Sequence, residues 1–272
     1  MVMGFSLNSY SVVADANAMK ECALLIFSIR QFSDAPIYVA CNSTSYNYLS
    51  QLNFGNIKFK QMLNKANLDK KKKLTAHIVD ANQFHNKEII ACKMDCLSLA
   101  TRESGNTLFV DADIVFIKDP GLDINSFTDV MLSPHYYYAN CRADSRKYGA
   151  FNAGYLYANS PKVAESWWDI YFSRSTFYEQ QGMRHLFEDY KVQTFNQNHN
   201  IGFWRYEKNW QRGKLYLGAN DVTHAEAVSY HAHLFPETYS RADKGLKLGY
   251  DQLGELVKSV LPPNIRRFAD DL

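Results

Sequence analysis

Two acidic residues, Asp111 and Asp113, interrupt an apolar segment that runs from Leu108 to Ile117. An ionised carboxylate inside a core is costly unless it is paired or bound to a metal. On an extended chain, side chains two positions apart project to the same side, so these carboxylates should repel each other unless a cation lies between them. Mg²⁺ and Mn²⁺ bind through carboxylate and phosphate oxygens. The spacing therefore predicts a divalent metal site; the alternative is a strand-end loop whose aspartates cap a helix or meet an arginine.

Basic and polar side chains elsewhere are of the types that bind phosphate or a nucleotide. Lys93 shares a predicted helix face with the apolar residues Cys96 and Ala100, where its ammonium either extends to solvent or reaches a buried anion. Asn8 and Tyr10 follow the predicted first strand, and open α/β sheets bind nucleotides at the carboxyl ends of their strands. We therefore expect Tyr10 to stack on a base and Asn8 to bond the edge of that base.

The elements that must position these residues alternate between strands and helices. Hydrophobic periodicity predicts strands at residues 2–7, 37–40, 57–59, 130–133, 154–158 and 227–231, and helices at residues 16–31, 44–52, 86–103 and 178–190. Ser160 followed by Pro161 predicts the start of a further helix. The strand–helix–strand beginning implies a parallel sheet with a right-handed crossover.

Composition excludes several classes of protein. Of the 272 residues, 46% are hydrophobic and 21% are charged, which is globular and not disordered. The net charge of +2 is too small for a protein that coats nucleic acid or an anionic membrane. The basic run at residues 70–73 is interpreted as a solvated loop or helix face, and the alternative is a mobile basic lid that meets phosphate. Five scattered cysteines without a CxxC pair indicate reduced thiols and a cytoplasmic location. No apolar window reaches the roughly 18 residues of a membrane span, so any membrane association should be peripheral.

Two segments carry a resemblance to a known family. The sequence LFVDADIVFIKDP at residues 108–120 resembles the metal-binding segment of GT-A glycosyltransferases, and of their glycogenin-like group in particular. The sequence FNAGYLYAN at residues 151–159, followed by a Trp-containing helix, is similar to the segment that shapes the sugar pocket in that family. The resemblance implies a Rossmann-like α/β fold, with a mixed, mainly parallel sheet flanked by helices over residues 1–235. Residues 236–272 would form a small C-terminal lobe on the same domain.

The resemblance also implies a ligand set for the metal. Asp111 and Asp113 would hold Mn²⁺ or Mg²⁺ against the diphosphate of a nucleotide sugar, and a histidine that closes a late strand would be a third ligand. His231 and His233 both stand at that place. His231 is preferred because it follows the apolar strand directly, and His233 stays open as the alternative.

Further residues match substrate contacts of the family. They are Lys93 and Lys244 for the nucleotide diphosphate, Asn152 and Gly154 for the sugar, and Glu179 and Gln180 for catalysis beside the donor sugar. The chain departs from the family in two respects: glutamate at position 179 replaces the usual aspartate, and the late Gly-x-x-Lys-Pro-Trp element is absent in that form. The tyrosines at residues 136–138, with Trp204 and Trp210, form either a stacking platform for a glycan or plain core.

These features predict a metal-dependent glycosyltransferase that moves a sugar from a nucleotide-diphosphate donor, a UDP-sugar by default, to an acceptor hydroxyl in glycan or polysaccharide synthesis. The resemblance to retaining enzymes implies retention. An inverting enzyme would need an acidic base, for which Glu179, Asp144 and Glu237 are the choices. The alternative is a non-catalytic nucleotide-sugar or glycan-binding protein with the same fold.

Overall fold

The structure is a computed structural model that describes residues 6–63, 87–125, 127–136, 149–175, 179–209, 214–217, 225–235 and 244–272. The strands are β1 (Ser9–Ala14), β2 (Ile37–Cys41), β3 (Ile57–Lys60), β4 (Thr107–Val110), β5 (Ile114–Phe116), β6 (Val130–Pro134), β7 (Phe151–Ala158), β8 (Val192–Thr194), β9 (Ile201–Gly202), β10 (Tyr206–Asn209), β11 (Lys214–Leu217) and β12 (Ser229–His231). Seven of them form the main sheet in the order β3-β2-β1-β4-β7-β6-β8, while β5-β12-β9 and β10-β11 form two small sheets.

The α-helices are α1 (Met19–Ile29), α2 (Ser43–Leu49), α3 (Lys87–Ser104), α4 (Pro161–Arg174), α5 (Lys244–Val260) and α6 (Pro263–Asp271). Local sequence explains two of the helix starts. The Asn42 side chain accepts from the Ser45 backbone and the Ser45 hydroxyl accepts from the Asn42 backbone, a reciprocal cap on α2. Pro161 occupies the first turn of α4, where its missing N–H costs nothing.

Strands β1 to β4 are all parallel, which confirms the predicted α/β class with a mainly parallel sheet. Because parallel strands end at the same edge, residues that follow β1, β2 and β4 lie together. Antiparallel β7 next to β4 makes the sheet mixed.

The main sheet carries a hydrophobic core on each face. On one face, α1 and α2 contribute residues such as Leu25 and Leu49. On the other, α3 and α4 contribute Leu97 and the fully buried Trp167. A third cluster joins Leu253 of α5 and Ile265 of α6 to Tyr230 of β12.

Some predicted boundaries were wrong. Of the predicted first strand, residues 2–5 lie outside the described residues, Ser6 and Leu7 are not in a strand, and the first described strand begins at Ser9. The described part of the predicted helix at 178–190 is a 3₁₀ helix over Gln181–Glu188. Residues 70–73, Tyr137, Tyr138 and Trp210 lie outside the described residues. Among the described helices, none combines the length and the apolar character that a membrane crossing requires.

Candidate metal and donor site

The two aspartates lie in the turn between β4 and β5, where the chain leaves the main sheet for a small one. The Asp111 N–H donates to the Gly154 carbonyl at 2.9 Å, and the Asp113 carbonyl accepts from the Ala232 N–H at 2.9 Å. The expectation of an extended segment was therefore wrong at this point, since the turn and not strand periodicity sets the directions of the carboxylates. One ligand atom each from Asp111, Asp113 and His231 nevertheless lie within 4.8 Å of one another.

His231 ends β12 and presents its two ring nitrogens to different partners. Its Nε2 lies 3.0 Å from Asp113 Oδ1. Its Nδ1 lies 2.9 Å from the side-chain Oδ1 of Asn200. An amide oxygen can only accept, so Nδ1 carries the hydrogen in this pair and Nε2 is the nitrogen available to a metal.

His233 has a different environment, because its Nδ1 faces carboxylates. Glu21 Oε1 lies 3.0 Å away and Asp113 Oδ2 lies 3.4 Å away. Burial alone would lower the pKa of His233, but the carboxylates of Asp113 and Glu21 outweigh burial and raise that pKa to about 9. Burial likewise opposes ionisation of Asp113, yet the two imidazoles hold the pKa of its carboxyl group well below the usual range.

Lys93 joins the aspartate turn to a glutamate from a distant segment. Its Nζ lies 2.9 Å from Asp111 Oδ1 and 2.9 Å from Glu179 Oε1. Burial by itself would lower the pKa of Lys93, but the two carboxylates reverse the effect and raise it. The Trp167 indole N–H donates to the Glu179 carbonyl at 3.2 Å, which fixes the backbone of this glutamate.

Gly154 and Asn152 shape the place where the Asp111 carboxylate lies. A Cβ at position 154 would stand 2.2 Å from Asp111 Oδ2, so only glycine leaves room for that oxygen. The Asn152 Oδ1 accepts from the Gly154 N–H at 2.8 Å. Gly154 therefore contacts the metal-site aspartate directly, and Asn152 holds the backbone of Gly154.

The structure does not bring Asn8 and Tyr10 to this site. Tyr10 is 1% exposed and packs edge-on against Phe116 in the core. The Asn8 N–H donates to Asn106 Oδ1 at the amino end of β1, opposite to the edge that carries Asp111. Their expected role as nucleotide contacts was wrong because the first strand starts later than predicted.

The residues that do follow β1 are those at 15–18, which the sequence reasoning missed. The Asp15 carboxylate accepts from the Asn17 backbone at 2.9 Å and from its side-chain amide at 3.1 Å, forming a tight turn. An Asp-x-Asn turn after an apolar strand was a visible signal. Glu21 and Asn200, by contrast, carried no motif that would have pointed to the two histidines.

Several predicted residues contribute less to the described site. Gln180 follows Glu179 and its carbonyl begins the 3₁₀ segment, accepting from Met183. Lys244 is the first residue of α5, but its side chain lies outside the described part, as do Asp144 and Glu237. Of the expected aromatic platform, Trp204 packs edge-on against the His135 and His231 rings.

The charges of the cluster suit a divalent cation. Its described ion pairs join the carboxylates of Glu21, Asp111, Asp113 and Glu179 to Lys93 and His233. Leaving His231 aside, the four carboxylates exceed the two cations by two. Carboxylate oxygens with one imidazole nitrogen are ligands suited to Mn²⁺ or Mg²⁺. The residues present therefore fit a metal.

Solved structures share this fold although the sequences have diverged. The galactosyltransferase LgtC, solved in complex with donor and acceptor sugar analogues, matches with a TM-score of 0.55 and 14% identity over 96% of this chain and 99% of LgtC. The bifunctional glycosyltransferase WbbM matches with a TM-score of 0.54 and 13% identity, over 93% of this chain and 52% of WbbM. The glycosyltransferase GlyE of Streptococcus pneumoniae matches with a TM-score of 0.52 and 12% identity, over 94% of this chain and 66% of GlyE.

No protein-family model matches the chain, and no curated protein matches it in sequence. The structural likeness to LgtC extends over nearly the whole chain. The chain therefore has the GT-A fold of these glycosyltransferases.

Proposed function

We propose that this protein is a metal-dependent glycosyltransferase that moves a sugar from a nucleotide-diphosphate donor, a UDP-sugar by default, to a hydroxyl of a glycan acceptor. The observation that carries the proposal is the convergence of Asp111, Asp113 and His231 at the carboxyl edge of the sheet. A divalent cation held there would supply positive charge against the diphosphate as the sugar–phosphate bond breaks.

His231 is the proposed third ligand in preference to His233. The Nδ1 of His231 donates to an amide, which leaves Nε2 for a metal. The Nδ1 of His233 lies between two carboxylates that raise the pKa of this histidine to about 9, so a metal at that nitrogen would have to displace a proton that both carboxylates favour. This difference supports His231 over His233 as the proposed third ligand.

The remaining residues would bind and orient the donor. Asp15 and Asn17 lie at the carboxyl end of β1 and replace Asn8 and Tyr10 as the proposed nucleotide contacts. Lys93 lies against Asp111 and supplies positive charge beside the diphosphate, and Glu179, ion-paired to Lys93, would face the donor sugar together with Gln180. Lys244 stays a proposed diphosphate contact, and Asn152 and Gly154 would line the sugar pocket beside Asp111.

We propose transfer with retention. The bond between the anomeric carbon and the phosphate oxygen breaks, and the acceptor oxygen bonds that carbon from the same face. The acceptor proton passes to the departing phosphate oxygen, so no separate protein base is needed. The chain's own contribution is to hold the donor and to hold the Glu179 carboxyl group against Lys93.

A thermal-shift screen of UDP-, GDP- and CDP-sugars, with and without Mn²⁺, tests the proposal. A donor at about 100 times its Kd stabilises the native state by about 2.7 kcal/mol, which raises Tm by several degrees. Asp113→Asn should abolish the Mn²⁺-dependent part of the shift and the transfer of sugar. Near-normal transfer by Asp113→Asn in EDTA would disprove metal dependence. Binding of the sugar nucleotide without donor hydrolysis or transfer would instead identify a non-catalytic binding protein.

A further inference from the structure

The side chain of Asn200 is buried behind His231, on the side away from the aspartates. Its backbone has a φ of 54°, a left-handed conformation that asparagine tolerates better than most residues. Three hydrogen bonds hold it in place. Oδ1 lies 2.9 Å from His231 Nδ1, Nδ2 donates to Ser133 Oγ at 2.9 Å, and the backbone N–H donates to Ser229 Oγ at 2.9 Å.

The structure directs the oxygen of the Asn200 amide at His231 and its amino group at Ser133. The Ser133 hydroxyl can accept from that amino group. An oxygen in that position accepts the Nδ1 hydrogen and keeps the imidazole in the tautomer whose Nε2 bears the lone pair. The same Nε2 is the nitrogen that lies 3.0 Å from Asp113.

His233, two residues further along the chain, has different partners at its ring nitrogen Nδ1. Glu21, 3% exposed on α1, lies against Nδ1 of His233, and Asp113 lies on the same nitrogen. Asp113 therefore meets His233 at Nδ1 but meets His231 at Nε2, because Asn200 occupies the Nδ1 side of the His231 ring. The two histidines stand two residues apart, so their partners and not their positions in the chain distinguish them.

We propose that Asn200 is a positioning residue that makes His231 the metal ligand, by accepting its Nδ1 hydrogen and presenting its Nε2 to the cation. The inference rests on the proposed metal site and extends it to a residue that touches neither metal nor donor. Ser133 is compatible with this arrangement, because its hydroxyl accepts from the Asn200 amino group.

Two substitutions separate the hydrogen bond from the backbone conformation. Asn200→Gly removes the acceptor while glycine adopts positive φ freely, and Asn200→Asp keeps an acceptor oxygen in a residue that also tolerates this conformation. Mn²⁺ affinity, measured without nucleotide from the electron paramagnetic resonance signal of free Mn²⁺, should fall about 10–100-fold in Asn200→Gly. In Asn200→Asp it should stay within about threefold of the unsubstituted chain or improve, since a carboxylate also accepts from Nδ1.

The matched control is Asn53→Gly, the same replacement at an exposed residue with a φ of 48°. It should leave Mn²⁺ affinity unchanged. Unchanged affinity in Asn200→Gly, or equal losses in Asn200→Gly and Asn200→Asp, would overturn the role of Asn200 while leaving the metal site intact. Failure of the unsubstituted chain to bind Mn²⁺ would overturn the proposed function and this inference with it.

A measurement on the unsubstituted chain covers the case in which Asn200→Gly does not fold. With Zn²⁺ bound, the ¹⁵N chemical shifts of the His231 ring should show a protonated Nδ1 and a metal-bound Nε2. The reverse pattern would overturn the proposal.

Discussion

Replacing Gly154 with alanine would test the metal site with a single methyl group. The new Cβ would lie 2.2 Å from Asp111 Oδ2 and 2.7 Å from its Cγ, whereas ordinary van der Waals contact begins at 3.4 Å. The carboxylate oxygen would therefore have to retreat by about 1.2 Å. Metal–ligand distances are held to within about 0.2 Å. Asn152 Oδ1, only 2.9 Å from the same Cβ, restricts movement of the methyl group itself.

We expect Gly154→Ala to weaken Mn²⁺ binding by about 100-fold or more, because even changes behind a ligand cost about 10–100-fold. Overpacking should also lower the free energy of unfolding by about 1–3 kcal/mol. In a chain of this length class, each kcal/mol corresponds to about 2–4 °C in Tm. Mn²⁺ affinity would be measured by electron paramagnetic resonance, and unfolding by circular dichroism.

Gly105→Ala is the matched control at the other end of β4. Gly105 has a φ of 89°, and a Cβ there would lie 2.9 Å from Asn8 Nδ2, far from the aspartate turn along the strand. Backbone strain should cost about 1–3 kcal/mol of stability, but Mn²⁺ affinity should not change. The reasoning fails if Gly154→Ala binds Mn²⁺ like the parent chain, or if Gly105→Ala loses as much affinity as Gly154→Ala.

Two further predictions concern stability. Lys93→Met leaves the carboxylates of Asp111 and Glu179 without the cation that they share, so the free energy of unfolding in urea should fall by about 3–5 kcal/mol. Adding Glu179→Gln should recover part of that loss. A Lys93→Met variant as stable as the parent chain would contradict the pairing. Burial lowers the pKa of His135 to about 3, so its ring is neutral when folded and takes up a proton near pH 6.5 when unfolded. The stabilisation that neutral His135 provides is fully present above about pH 6.5, and the free energy of unfolding should fall by about 2 kcal/mol between pH 7 and pH 5 on its account. His135→Gln should reduce this pH dependence, which unfolding curves at several pH values would measure.

Sequence reasoning predicted the α/β class and the aspartate motif because both depend on local patterns. Charged residues inside an apolar segment are easily seen in the sequence, and hydrophobic periodicity indicates the alternation of strands and helices. The direction of the Asp111 and Asp113 side chains was not predictable in the same way. It results from a turn between two sheets, and the apolar residues on both sides concealed that turn.

The start of β1 shows how a small error in register moves a functional prediction to the wrong end of a sheet. Ser6 and Leu7, at the end of the predicted strand, are not in a strand, whereas Ser9–Ala14 forms β1 and pairs with β2 and β4. Because β1 ends at Ala14, the residues that follow it are Asp15 and Asn17 and not Asn8 and Tyr10. Tertiary pairing overrode the local pattern.

The partners of the two histidines could not be predicted because they come from remote segments without a motif. Glu21 lies in a helix whose pattern indicates only an amphipathic core element, and Asn200 lies in a short connection before β9. Neither residue type is informative alone, since glutamate usually lies at the surface and asparagine is common in turns.

The Asp113 carboxylate bonds His231 through one oxygen and His233 through the other, and His233 reaches Glu21 across a separation of 212 residues. Contacts between such distant parts of a chain require closure of very long loops, which is slow compared with local helix formation. The cation-binding arrangement should thus assemble only when the polypeptide has nearly finished folding. Mn²⁺ should then slow the unfolding of the native protein. It should leave the rate of the early folding steps unchanged, because partly folded chains lack the complete binding site.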